Sequence, residues 1–339
     1  MIATTPCPAP GAAASNPLLH ASHLATERQV MGARFRFRSN SRALLDQVDA
    51  AYGGLPAHRF PWRGPRIEVG MWLGAGAPAR AGEPPAVRTR LDAEPMYGVL
   101  DEHNHVVMSP RRRRARLMAS AAMLERPYHL RYELLEFAVF VLAARCQGLV
   151  PLHAACLGRA GRGILVLGAS GAGKSTLVLH GLLQGLELLA EDAVFVHPGC
   201  MLATGVANFL HVQADALDGV DAATRAWISR APVIRRRSGV RKFEVALAAA
   251  PRPVRLAPAP LQLVGTVLLS GRASGRSAAT LARADAAGAA AALALDQAHA
   301  MSQPGWRDFQ RRVMQAGIHV LHRGHHPASS VDVLRQLLD

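Results

Sequence analysis

At 339 residues the chain is long enough to bury a full core, and half of it is hydrophobic, which excludes an intrinsically disordered polypeptide. No apolar run reaches bilayer-spanning length; the nearest, LLEFAVFVLAARC, is short and carries Glu136. The formal net charge of +15 invites a nucleic-acid partner, but only two of the 39 Lys and Arg residues are lysines, and aromatic residues are not interleaved with the basic runs. Arginine-rich composition together with substrate electrostatics accounts for the surplus better than a nucleic-acid face does.

Residues 1–25, rich in Pro, Ala and Ser, are expected to form an unstructured tail without a basic leader or apolar core, and the expected location is cytoplasmic. The alternation ARFRFR predicts a strand, and SRALLDQVDAAYG predicts a helix with Ser41 as N-cap. RIEVGMWLG reads as a further strand, and YGVLDEHNHVVMSP as a hairpin turning at Glu102 to Asn104. The run RRRRAR, from Arg111 to Arg116, is expected to be a solvated turn. Together, residues 26–127 form a small α+β domain, and a strong helix from Tyr128 to Gly148 opens a second domain over 128–339.

In that second domain the order is strand LHAACL, turn, strand ILVLG, a glycine loop, helix KSTLVLHGLLQG and strand AVFVH, which predicts an α/β core. Beyond it come strands at KFEVAL and LQLVGTVLLS, an Ala-rich helix, the strand GIHVLHRG and a closing helix SSVDVLRQLLD. No internal repeat is present. Cys7, Cys146, Cys156 and Cys200 lack disulfide or zinc-ligand spacing and are expected to be reduced thiols.

The loop carries the strongest signal. Gly168, Ala169, Ser170, Gly171, Ala172, Gly173, Lys174, Ser175 and Thr176 form G-x-x-x-x-G-K-[ST] between a strand and a helix. Glycines let backbone N–H groups approach phosphate oxygens at a helix N-terminus. Lys174 supplies a charge between the β- and γ-phosphates, and Ser175 a hydroxyl for Mg²⁺. The pattern predicts ATP with Mg²⁺. A transporter ATPase is disfavoured, because LLSGRASG and LLAEDAVF supply neither its signature loop nor its Asp-Glu strand end. Glu191-Asp192 follows the helix where a loop can return to the phosphates, placed either to hold Mg²⁺ and accept a proton or to open a strand as surface acids.

The segment LHAACLGRAGRGILVLGASGAGKSTLVLHGLLQGLELLAEDAVFV resembles the catalytic core of the HPr kinase/phosphorylase superfamily. FRFRSNSRALLDQVDAAYGGLP and GIHVLHRG…SVDVLRQLL are similar to HPr-kinase-related proteins, a group that includes kinases tailoring ribosomally made peptides. The resemblance implies a mixed sheet of the HPr-kinase/PEP-carboxykinase-like type and ATP-dependent phosphorylation of a serine on a protein or peptide. It implies Asp192 as catalytic base and His153 as an active-site imidazole; Glu191, beside Ser175 as an expected metal ligand, rests on its position after the helix. The resemblance is also compatible with a homo-oligomer. The chain departs from the family at Thr176 and Glu191, and VANFLHVQADALDGV stands where the family has Glu-x-Arg-Gly-x-Gly.

From Arg225 to Arg255 nine Lys and Arg face a single acid, Glu244. Such a run is commonly just solvated. The functional alternative has Arg241 or Lys242 reaching the γ-phosphate, and Arg235 to Arg237 steering an anionic partner. Lys242, kept as lysine in an arginine-rich chain, is the better candidate. The sequence thus predicts a serine kinase with Asp192, His153, Lys174 and Lys242 in its site. The alternative is a nucleotide-sensing regulatory module that transfers nothing.

Overall fold

The computed structural model describes residues 24–74, 82–273 and 278–339. They divide into two compact units, one running through Gly53 and resuming over Trp62–Gln147, the other comprising Gly54–Pro61 and Gly148–Asp339. The expected tail lies almost wholly outside the described residues. Its last residues instead open a strand.

The first unit contains β1 (Leu24–Val30), β2 (Ala33–Ser39), α1 (Arg42–Tyr52), β3 (Arg66–Gly74), β4 (Arg88–Arg90), β5 (Met96–Val99), β6 (His105–Ser109), β7 (Arg114–Ser120), α2 (Ala121–Leu124), α3 (Pro127–His129) and α4 (Phe137–Gln147). The strands form one sheet in the order β1-β2-β3-β7-β6-β5-β4. Alternation drives the arrangement: Phe35 and Phe37 are fully buried, whereas Arg34 and Arg36 are exposed. The Phe37 ring stacks on Tyr52 of α1 at 6.1 Å, and Leu44, Leu45 and Val48 complete the buried stripe of that helix. Ser41 is the N-cap by position but makes no side-chain cap; its own N–H donates to Ser39 Oγ at 3.0 Å.

Three expectations change here. Arg111 to Arg113 do turn, but Arg114 and Arg116 belong to β7 and stand on its exposed side. The helix after Pro127 is not regular: Leu130–Glu136 is π-helical before α4 begins. Nor does this helix open the second unit. The Phe137 ring lies so close above Gly98 of β5 that a Cβ there would come within 2.6 Å of it, which anchors α4 to the first sheet.

The second unit contains β8 (Val150–His153), β9 (Ala155–Arg159), β10 (Arg162–Leu167), α5 (Lys174–Leu183), β11 (Glu187–Ala190), β12 (Ala193–His197), β13 (Leu202–Gly205), β14 (Phe209–Val212), α6 (Ala222–Ser229), β15 (Val233–Arg235), β16 (Arg241–Ala246), β17 (Arg255–Leu256), β18 (Leu261–Ala273), β19 (Thr280–Arg283), α7 (Ala286–Ala294), α8 (Ala298–Met301), α9 (Trp306–Ala316), β20 (Ile318–Arg323) and α10 (Pro327–Leu338). The main path of its large sheet runs β17-β11-β9-β10-β18-β13-β12-β8, with β20 pairing β18 off this path and β19 pairing β20. The sheet is mixed: β10 runs parallel to β18 and antiparallel to β9. The protein is therefore α/β with mixed sheets.

Helices cover both faces, so β10 is apolar on both. Ile164 and Val166 join a core with Leu177 and Val178 of α5 and Val331 and Leu334 of α10. Leu165 and Leu167 join another with Leu293 of α7 and Phe309 and Val313 of α9. Gly181 lets α5 settle onto β9, because a Cβ there would approach Leu157 Cδ1 to 2.8 Å. A small sheet, β14-β16-β15, completes the unit.

Candidate functional site

The glycine loop leaves β10 after Leu167 and enters α5 at Lys174. Gly171 (φ 81°) and Gly173 (φ 98°) adopt left-handed backbone conformations that side-chain-bearing residues rarely hold. Ala172 N–H donates to Ala169 O at 3.0 Å and tightens the turn. Lys174, only 8% exposed, donates from Nζ to Gly168 O at 2.7 Å. Burial lowers its pKa; the Asp192 and Asp296 carboxylates oppose that shift, and the Lys242 ammonium adds to it.

Residues distant in sequence meet this loop. A cavity of about 230 Å³ is lined by Ala169, Ser170, Gly171, Gly173, Lys174, Ser175 and Thr176, by His153 and Asp192, and by Gln213, Arg236, Ser238, Val240 and Lys242. Lys242 therefore shares the cavity with the loop, whereas Arg241 does not line it. Gly168 and Ala172 belong to the loop but do not line the cavity.

His153 ends β8 and Asp192 immediately precedes β12; these strands pair antiparallel, with Ala193 opposite His153. Their side chains meet, His153 Nε2–H donating to Asp192 Oδ1 at 3.0 Å. Arg236, in the turn between β15 and β16, donates from Nη2 to Asp192 Oδ2 at 2.8 Å. Burial would raise the Asp192 pKa, but the His153 hydrogen bond and the Arg236 charge outweigh it and hold the carboxyl far below the usual range. Gln297 fixes the histidine from behind, accepting from His153 N–H at 3.0 Å and donating to His153 O at 2.9 Å.

Glu191 faces another way. It is 5% exposed and does not line the cavity. The Ser175 hydroxyl donates to its Oε1, and His211 Nδ1–H donates to its Oε2 at 2.9 Å. His211 Nε2 in turn lies 3.8 Å from Glu244 Oε1, so a buried imidazole sits between two carboxylates. Burial opposes charge on both partners, yet the hydrogen bonds dominate: the Glu191 pKa is lowered and that of His211 is raised. Both shifts favour the ionised form of the pair.

Gln297 and His211 are the side chains that the sequence did not single out, and Arg236 stood there only as one of three arginines expected to steer an anionic partner. Arg236 lay within the recognised basic run, but nothing local separates it from Arg235 and Arg237, both of which are exposed. Gln297 reaches His153 from 144 residues away and carries no motif.

Among the described residues no cluster of three or more His, Cys, Asp or Glu side chains could hold a metal by itself. Ser175, at the cavity wall with the Glu191 carboxylate behind it and Asp192 beside the same cavity, supplies hard oxygen donors that suit Mg²⁺ when phosphate oxygens complete the shell. No helix among the described residues is long and apolar enough to cross a membrane. No protein-family model matches the chain, and no curated protein matches it either.

Proposed function

We propose that the chain is a P-loop kinase of the HPr-kinase-like type, transferring the γ-phosphoryl group of ATP to a serine hydroxyl on a protein or peptide. One observation carries the reading. A carboxylate held by a histidine and an arginine lines the same cavity as the lysine and serine of the glycine loop.

In this reading the loop N–H groups, the α5 N-terminus and Lys174 hold the phosphates, and Ser175 would hold Mg²⁺ at the cavity wall, its hydroxyl oriented by the buried Glu191 carboxylate behind it. Bound Mg²⁺ neutralises phosphate charge. Asp192 takes the proton of the acceptor hydroxyl as its oxygen bonds to the γ-phosphorus and the bridging β–γ P–O bond breaks, releasing ADP. Arg236 leaves Asp192 for the γ-phosphate when nucleotide enters, which restores basicity to the carboxylate as it supplies charge to the transferring group. Lys242, on the same wall, adds a second cation. His153 keeps the Asp192 carboxylate aimed into the cavity.

The deciding experiment offers γ-labelled ATP, Mg²⁺ and candidate acceptors (HPr, and small proteins encoded beside this one) to the purified chain. Label on an acceptor serine that vanishes in Lys174→Ala and Asp192→Asn supports the kinase. ATP bound equally by the wild type and Asp192→Asn, with no acceptor labelled, overturns it in favour of a nucleotide-sensing module. The tight engagement of Asp192 in the present structure is the feature that favours that second reading.

A further inference from the structure

The sheet of the first unit has one face covered by α1 and α4 and one face open. The cross-strand register shows what the open face carries. Arg34 stands beside Arg66; Arg36, Glu68 and Arg114 form the next row; Arg38, Gly70 and Arg116 form the third. Val107 and Tyr97 extend that third row to Arg90, with Arg88 two residues along on the same side. Eight arginines thus share one face with two acids, Glu27 and Glu68.

Arg34, Arg36, Arg66, Arg88, Arg114 and Arg116 are exposed. Glu68 answers two of the eight, at 3.4 Å from Arg38 and 3.8 Å from Arg114. Among the described residues, Arg34, Arg36, Arg66, Arg88 and Arg116 make no side-chain ion pair. This density exceeds what solvation alone explains, because like charges in neighbouring positions of a sheet repel.

From this we infer that the open face is a docking surface for an acidic polypeptide segment. Same-face positions along a strand recur every ~7 Å, and so do the alternate side chains of an extended peptide. Acids at every second position of such a segment would meet Arg34, Arg36 and Arg38 in turn. Each guanidinium can clasp a carboxylate with two hydrogen bonds.

Nucleic acid fits this face less well, since bases need open rings on which to stack. The Trp72 ring lies close against Gly70 and Trp72 is only 8% exposed, and Arg90 lies over the Tyr97 ring at 4.6 Å. Glu68, in the middle of the patch, also interrupts a phosphate track. The inference goes beyond the kinase reading and needs no phosphoryl transfer, so it is tested by binding to the full, nucleotide-free chain.

The probe is a fluorescein-labelled ten-residue peptide alternating Glu and Ser, read by anisotropy, with a Gln–Ser peptide of the same length for comparison. The expected result is salt-sensitive binding of the Glu peptide alone. Affinity falls about tenfold or more in Arg36→Gln/Arg114→Gln/Arg116→Gln and stays within about twofold in the charge-matched Arg307→Gln/Arg311→Gln/Arg312→Gln on α9. All six side chains are exposed, so both variants should fold, which circular dichroism verifies. Equal loss in the two variants would reduce the effect to net charge and overturn the docking surface. Absence of Glu-peptide binding to the wild type would do the same. Tighter binding of a single-stranded DNA oligomer or of phosphatidylserine vesicles than of the peptide, lost in the sheet variant, would reassign the face to that partner.

Discussion

Arg236 donates to Asp192 across a gap of 44 residues, closing an ion pair over the cavity that the glycine loop lines. The carboxylate proposed to accept a proton is thus stabilised in its ionised form by a group that must move for it to act. Arg236→Gln separates the two roles. The Asp192 carboxyl should titrate at higher pH than in the wild type, measured by carbon-detected NMR, because a positive neighbour is gone. Phosphoryl transfer should nonetheless fall by about tenfold to a hundredfold in kcat/KM, as the γ-phosphate loses a cation. An unshifted Asp192 titration would disprove the electrostatic coupling.

Gln297 pairs with both backbone polar groups of His153, and no other side chain competes for them among the described residues. Gln297→Ala leaves two groups short of partners and should cost about 1–3 kcal/mol, visible as a lower midpoint in urea. The kinase reading adds a kinetic expectation: kcat falls while ATP affinity, measured by calorimetry, holds. Equal losses in both would make Gln297 a purely structural brace.

His211 lies buried between Glu191 and Glu244, and its raised pKa favours the positively charged form there. Replacing it by Gln leaves two carboxylates without their counter-ion in the interior, and the expected destabilisation is about 3–5 kcal/mol by chemical denaturation. The pH dependence follows from the raised His211 pKa. Its stabilisation is fully present below the ordinary histidine value and is lost as pH rises through the higher folded value. His211→Gln should abolish that alkaline loss.

His180 behaves in the opposite sense. It is buried on α5 with its ring edge-on to His326 at 5.4 Å, and burial first, then His326, lowers its pKa to about 4. Between that value and the ordinary 6.5 the unfolded chain binds a proton that the folded chain refuses. Stability therefore drops as pH falls from 7 toward 4, by about 3 kcal/mol in total from this group. His180→Leu should flatten the stability profile between pH 7 and 5. Parallel profiles for variant and wild type would rule out His180 as the source.

The glycine loop was legible because phosphate recognition constrains consecutive residues, and a strand and a helix must flank them. The strand at ARFRFR was legible for a similar reason, since alternation declares a sheet with one buried face. What lies beside that strand was not: Arg66, Arg114 and Arg116 join Arg34 and Arg36 only through register, which no local pattern encodes. β1 escaped notice because LATERQV buries only Val30 and lacks an apolar rhythm. The π-helical stretch escaped because its apolar content fits either helix type. Glu191 and Asp192, adjacent in sequence, point to different surroundings, and only the strand start at Ala193 decides which of them faces the cavity.

The Gln297 clasp has one further consequence. The His153 amide proton is held by a side chain from the segment between α7 and α8 rather than by a neighbouring strand. It is therefore exposed to deuterium whenever that segment lifts away, even while β8 and β12 stay paired. Its exchange rate measures how often the histidine that aims Asp192 is released, independently of any substrate.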